Sequence, residues 1–225
     1  MPSAILFDIY GTLADHAKSD TEAMTLLRQI VTRAGIRVSD QAMNAAEAFA
    51  VDAFAPNLFE AIIFKLVNRD STLGLKCTAE FRKQFKPKFT AIAGAKGFLA
   101  QLRQRGLKLA LVNRLSAEDA DALAKAGLLE LLDFKGLPAA MKIDMPDMRV
   151  LEFVLGNLGL APTDCVLVGS RLDNHIRPGN ELRMKTVLLK VGKHGTRQMP
   201  RDLKDVPGYE IARLEDLELA LAEMG

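Results

Sequence analysis

Ala4-Ile5-Leu6-Phe7-Asp8-Ile9-Tyr10-Gly11-Thr12-Leu13 opens the chain with an apolar run, an aspartate and a Gly-Thr turn. A short apolar run closed by turn chemistry reads as a buried strand. In an open α/β sheet, ligands collect beyond the carboxyl ends of the strands, so Asp8 stands where such a sheet presents a reactive carboxylate. Gly11 accepts the backbone angles of a tight turn and lets the chain fold back toward that carboxylate. An aspartate that merely caps the turn would give the same local pattern.

Outward from this stretch, the pattern turns helical and stays so to about residue 89. Met24, Leu27, Ile30 and Val31 recur at helical spacing between Thr21 and Ala34, and Gly35 ends that helix. Further helices are expected over Asp40 to Ala55, Asn57 to Asn68 and Thr78 to Phe85. With no strand signal among them, residues 15–89 read as an all-helical subdomain inserted into a core made of 1–14 and 90–225. Its apolar face with Phe59 and Ile63 would pack on the core or on a second subunit. The basic cluster Arg82, Lys83, Lys86 and Lys88 reads as a solvated linker, with no aromatic platform for bases.

From Ala95 onward strands and helices alternate. Helix Ala95 to Arg105 leads into the strand Leu107 to Val112, which ends at Asn113. Ser116 caps the next helix and Gly127 closes it, and a weak strand is expected at Phe134 to Pro138. Helix Pro146 to Leu158 and strand Cys165 to Gly169 follow, then a polar run from Ser170 to His175. Strands at Thr186 to Val191 and Tyr209 to Ala212 and a closing helix through Leu214, Leu217 and Leu221 complete the pattern. Such alternation implies an α/β fold with a doubly wound, mainly parallel, Rossmann-like sheet. Asp8, Asn113 and Ser170 then all lie just past strand carboxyl ends, where a polar pocket is the default site.

The chain has 225 residues, 49% of them apolar and 26% charged, as expected of a globular protein with one sizeable core. A formal charge of +2 gives no argument for a nucleic-acid partner. Cys77 and Cys165 have neither metal-ligand nor disulfide spacing and suit a reducing compartment. No basic leader and no long apolar run is present, so neither a signal peptide nor a membrane span is expected, and the chain reads as cytoplasmic.

Phe-Asp-x-Tyr-Gly-Thr-Leu at 7–13 resembles the first motif of the haloacid dehalogenase (HAD) superfamily. Gly169-Ser170-Arg171-Leu172-Asp173-Asn174-His175-Ile176-Arg177 lies in step with that superfamily's fourth motif. Met184-Lys185-Thr186-Val187 resembles the strand that follows it, and the helical insert after the first strand resembles the family's cap. The resemblance implies a covalent nucleophile at Asp8. Tyr10 stands where the phosphatase branch has a second aspartate and is similar to the 2-haloacid dehalogenases. Asn113 likewise matches the asparagine those dehalogenases carry.

Several positions depart from the family. Val112 stands where the second motif has a serine or threonine. Met145, before Pro146-Asp147, stands where the third has a lysine; Lys142, about one turn upstream if that segment is helical, is its candidate substitute. Ser170 and His175 replace the fourth motif's carboxylates. Asp8 and Asp173 are the carboxylates left for Mg²⁺, so a metal site is expected to be weak or absent, with no certain cofactor. Thr12, Arg114, Ser170 and Arg171 are the substrate-binding candidates, and Asp8, Tyr10, Asn113 and Lys142 the catalytic ones. His175 is a possible base, or structural.

A carboxylate and a phosphate dianion repel at close range without a cation between them, whereas halide leaves carbon without metal or proton. The residues therefore favour a hydrolase acting on a small anionic substrate through an aspartyl-enzyme intermediate, dehalogenase-like more than phosphatase-like. A catalytically degenerate binding or interaction protein and a weak Mg²⁺-phosphatase are the alternatives. No nucleic acid or membrane partner is implied, and the chain would be a monomer or homodimer.

Overall fold

The computed structural model describes residues 2–15, 17–88 and 90–224. The chain divides into two compact units, Met1–Asp15 with Phe89–Gly225, and His16–Lys88. The borders expected at 14/15 and 89/90 adjoin positions 16 and 89, which lie outside the described residues, as do positions 1 and 225.

The first unit is built on β1 (Ala4–Phe7), β2 (Lys108–Leu111), β3 (Cys165–Gly169), β4 (Lys185–Leu189) and β5 (Tyr209–Ile211). They form one sheet in the order β2-β1-β3-β4-β5, and every neighbouring pair is parallel. The sheet is thus wholly rather than mainly parallel. Strands buried on both faces read as continuous apolar runs, as β1 and β3 do. Successive side chains alternate between faces. Ile5, Phe7, Leu109, Leu111, Val166 and Val168 pack one way, against Phe98, Leu99 and Leu102 of the helix Ala95–Gln104 and Leu217 and Leu221 of the helix Leu217–Glu223. Ala4, Leu6, Ala110, Cys165 and Leu167 pack the other way, against Val150, Leu151, Val154 and Leu158 of the helix Met148–Leu158.

Because β1 has β2 on one side and β3 on the other, the strand order reverses beside it. Ligands bind at such a reversal, beyond the carboxyl ends. The chain leaves the sheet for the insert and returns beside its own exit. Ala14 and Ala91 form an antiparallel bridge, the Asp15 N–H donates to the Thr90 carbonyl (2.7 Å) and the Ile92 N–H to the Leu13 carbonyl (3.0 Å).

Residues 134–138 do not form the expected strand. They run beside β2 through isolated bridges, Ala110 with Phe134 and Arg114 with Leu137. Gly136 at φ +116° breaks the extended run, and Pro138 has no N–H to continue a ladder. The polar run after β3 is no open loop either, because Leu172–Ile176 closes a π-helical turn that leads directly into the short helix Arg177–Glu181. Helix Met148–Leu158 starts two residues later than expected, with Asp147 as its cap.

The second unit contains α1 (Ala17–Arg33), α2 (Asp40–Asp52), α3 (Leu58–Leu66) and α4 (Ser71–Gln84), with Ser39, Asn57 and Asp70 capping the last three. Its core gathers Leu27, Ile30, Val31, Ala46, Ile62, Ile63 and Phe81. α4 begins well before the expected Thr78 because Asp70 caps it. Gly74 does not interrupt it, since the Phe64 ring fills the space where a side chain would be: a Cβ there would lie 2.5 Å from the ring. The face carrying Phe59 and Ile63 is used inside this unit. Ile63 is buried, and Phe59 packs on Phe81 and Phe85 at 5.4 and 5.6 Å between ring centres. Among the described residues no helix is long and apolar enough to cross a bilayer.

Candidate active site

Asp8 follows β1 directly. Its N–H still donates to the Val168 carbonyl (3.1 Å), so strand pairing fixes where the side chain leaves the sheet. On the other side the Val112 N–H donates to the Phe7 carbonyl (3.0 Å), which extends β2 to the same level and turns Val112 into the core. Asn113, next along, emerges at the strand end. Its Nδ2 donates to Asp8 Oδ1 (2.7 Å) and its Oδ1 accepts the Ile9 N–H (2.9 Å). One amide thereby holds both the carboxylate and the backbone behind it.

From β3, Ser170 Oγ donates to the Tyr10 carbonyl (3.3 Å). Gly11, at φ +76°, allows that approach, because a Cβ there would stand 2.8 Å from Ser170 Oγ. The π-helical turn then carries His175 back over the end of β3. The ring lies against Gly169, where a Cβ would be 2.3 Å from it, and Nε2 sits 3.6 Å from Asp8 Oδ1. That separation is longer than a hydrogen bond. The His175 side chain is 1% exposed, and neither ring nitrogen has a hydrogen-bond partner. Burial pushes the Asp8 carboxyl up, but the His175 imidazole and the Asn113 amide outweigh it and leave Asp8 below its ordinary value.

The other candidates are placed differently. The Tyr10 hydroxyl donates to Asp119 Oδ2 (2.6 Å), which also accepts from Ser116 Oγ (2.8 Å). Burial and the Asp119 carboxylate raise the Tyr10 phenol above its usual value, so it stays protonated. Thr12 is fully buried, and its hydroxyl has no hydrogen-bond partner. Arg114 pairs with Asp144.

Lys142 does not lie one helical turn from Met145, because 141–144 is not helical. Met141, Ile143 and Met145 pack on the core beside helix Met148–Leu158, and the period-two alternation of an extended segment turns Lys142 out to solvent.

Asp173 is not available beside Asp8. Arg171 grips it with Nη2 at 2.7 Å and Nε at 3.2 Å, and Gln198 Nε2 donates to the same carboxylate (3.2 Å) while its Oε1 accepts the Leu172 N–H (2.9 Å). His194, from the short helix Gly192–Arg197, is near this group. Its burial, then the charge of Arg171, lowers its imidazole to about 4, so it is neutral at pH 7. Gln198 and His194 carried no signal in the sequence, because their partners are distant in the chain.

Mg²⁺ needs several oxygen ligands, usually including carboxylates. Here Asp8 Oδ1 faces an amide and an imidazole, and Asp173 is already neutralised by Arg171. Among the described residues no three His, Cys, Asp or Glu side chains gather as ligands. The residues do not fit Mg²⁺.

The sequence model of the family described as haloacid dehalogenase-like hydrolase matches residues 2–181. A glyceraldehyde 3-phosphate phosphatase from Methanopyrus kandleri is 32% identical over 120 residues, 53% of this chain and 51% of that protein. The chain thus spans about half the length of the curated relatives it matches. Among solved structures, a HAD phosphatase from Thermococcus onnurineus has a TM-score of 0.61 at 20% identity, covering 97% of each chain. The L-2-haloacid dehalogenase from Xanthobacter autotrophicus, with chloropropionic acid covalently bound, has a TM-score of 0.61 at 17% identity, covering 100% of each. At these identities the likeness is one of fold.

Proposed function

Since the chain belongs to the haloacid dehalogenase-like hydrolases, we propose that Asp8 is its nucleophile and that it displaces a leaving group from carbon in a small anionic substrate without a metal ion. The observation that carries this reading is the pairing of Asp8 Oδ1 with Asn113 Nδ2 and His175 Nε2. Those contacts keep the carboxylate ionised and aim it, with Oδ2 left to attack. Halide departs as a stable anion and needs no proton, so the tethered Tyr10 hydroxyl is not required as an acid. The product of attack is an ester of Asp8, which water must break. The insert 16–88 would serve as the cap over the substrate, and the site would work in one chain or in a homodimer. A substrate carboxylate would compete with Asp144 for Arg114, whose side chain is 38% exposed.

A phosphatase is the second reading, favoured by the name of the Methanopyrus relative. It requires a phosphate dianion to approach Asp8 with no cation cluster between them, which is electrostatically costly. The third is a protein that keeps the fold for binding alone, supported by Val112, Met145, Ser170 and His175. Halide and phosphate release from a panel of 2-haloacids and phosphate esters, with and without Mg²⁺, separates the three. Metal-independent halide release, abolished in Asp8→Asn, is the expected result. Metal-dependent phosphate release would replace the first reading with the second, and silence across the panel would favour the third.

A further inference from the structure

The geometry points to His175 as the base that hydrolyses the Asp8 ester, a catalytic role that rests on the proposed nucleophile. Its ring is set by the backbone: the π-helical turn delivers it and the missing side chain of Gly169 makes its berth. Such π-turns recur at functional sites. A buried imidazole with neither nitrogen hydrogen-bonded is uncommon, because buried polar groups are normally paired. Here Nε2 is aimed at Asp8 and available to a water held beside that carboxyl.

The groups around Asp8 leave this task to His175. The Asn113 amide is no base. Ser170 Oγ donates to the Tyr10 carbonyl, the Tyr10 hydroxyl donates to Asp119, and Lys142 faces solvent. Beside His175 stand Asp8, from the end of β1, and His194, from helix Gly192–Arg197; Arg171 and Asp173, at the start of the same turn, act on His194 as well. Arg171 and Asp173 neutralise one another, and His194 is neutral at pH 7.

In the step, a water oxygen attacks Cγ of the Asp8 ester while His175 Nε2 takes one of its protons. The carbonyl oxygen, still bonded to Asn113 Nδ2, carries the developing negative charge. The bond from Cγ to the substrate oxygen then breaks, and the departing alkoxide takes the proton back from Nε2. The second water proton is lost to solvent when the Asp8 carboxylate re-forms. One water is consumed, and an alcohol, a carboxylate and a proton result.

The test uses the full chain, 2-chloropropionate and His175→Gln. The expected result is a burst of one halide per site in the variant, an adduct on the Asp8 peptide by mass spectrometry, and steady turnover lower by about 10²–10⁴-fold. The burst also reports that the variant is folded. In the wild type, D₂O should slow steady turnover and leave the burst unchanged, a readout that needs no variant. Wild-type turnover in H175Q, or a D₂O effect confined to the burst, would overturn this step and leave the nucleophile standing. Absence of both halide release and an Asp8 adduct, in the wild type and in H175Q alike, would overturn the nucleophile and the step together.

Discussion

Asn113 Nδ2 lies 2.7 Å from Asp8 Oδ1, and the same amide accepts the N–H of Ile9, the residue after that aspartate. Two strand ends are thus locked by one side chain. Asn113→Ala leaves the Ile9 N–H and the Asp8 carboxylate each short of a partner in a buried setting, at a cost of about 1–3 kcal/mol. The midpoint of urea unfolding should fall accordingly. The Asp8 carboxyl should titrate higher, which carbon-13 NMR on labelled aspartate would read, and kcat should drop by about 10²–10³ where Asn113 serves the developing oxyanion.

Gly169→Ala places a methyl group where the His175 ring now lies, 2.3 Å from its nearest atom. Neither strand nor ring can yield without repacking, so the cost should be about 1–3 kcal/mol. Because the change reaches Asp8 only through the ring, turnover should fall more than the melting temperature suggests. Kinetics and thermal unfolding on one preparation check this.

His194 is expected to shape stability toward mild acid. Its folded value of about 4 lies below the unfolded value of about 6.5, so between the two the unfolded chain holds more protons. Stability is therefore full above pH about 6.5 and declines as pH falls toward 4, by up to about 1.4 kcal/mol per unit. Urea unfolding between pH 7.5 and 4 should show that slope, and His194→Gln should flatten it.

Asp205 acts lower on the scale. Its side chain is fully buried and bridges Arg177 Nε (2.8 Å) and Arg201 Nε (2.6 Å). Burial raises its carboxyl, yet the two guanidinium groups dominate and hold it far below the ordinary range. Its contribution is complete above the unfolded value of about 3.9 and disappears as pH falls toward the lower folded value. Asp205→Asn should cost about 3 kcal/mol at pH 7, and the gap to wild type should narrow as unfolding is followed down to pH 2.

The sheet was legible because a parallel strand is apolar along its whole length, and the runs ending at Phe7, Leu111 and Gly169 show this without context. The meeting of Asp8 with Asn113 follows from strand ends alone. Orientation was less legible. Lys142 faces away from the core because the chain around it is extended, which no count of residues between it and Met145 could reveal. Asp173 looked available for a metal until its neighbour Arg171 was seen to hold it. Which way His175 points is set by a single π-helical turn, so its place beside Asp8 could not be read from the sequence. Tyr10 finds Asp119 only once a strand end and a helix cap meet in space.

The paired segments Leu13–Asp15 and Thr90–Ile92 make exit and return a single doorway. Whatever is spliced in there inherits anchored ends, and β1 need not shift against β2 or β3 to admit it. Evolution or an engineer could exchange residues 16–88 for another module, or for a short bridge, as one changes a tool in a fixed chuck. The sheet that carries Asp8 and the module spliced into it would then be separately heritable.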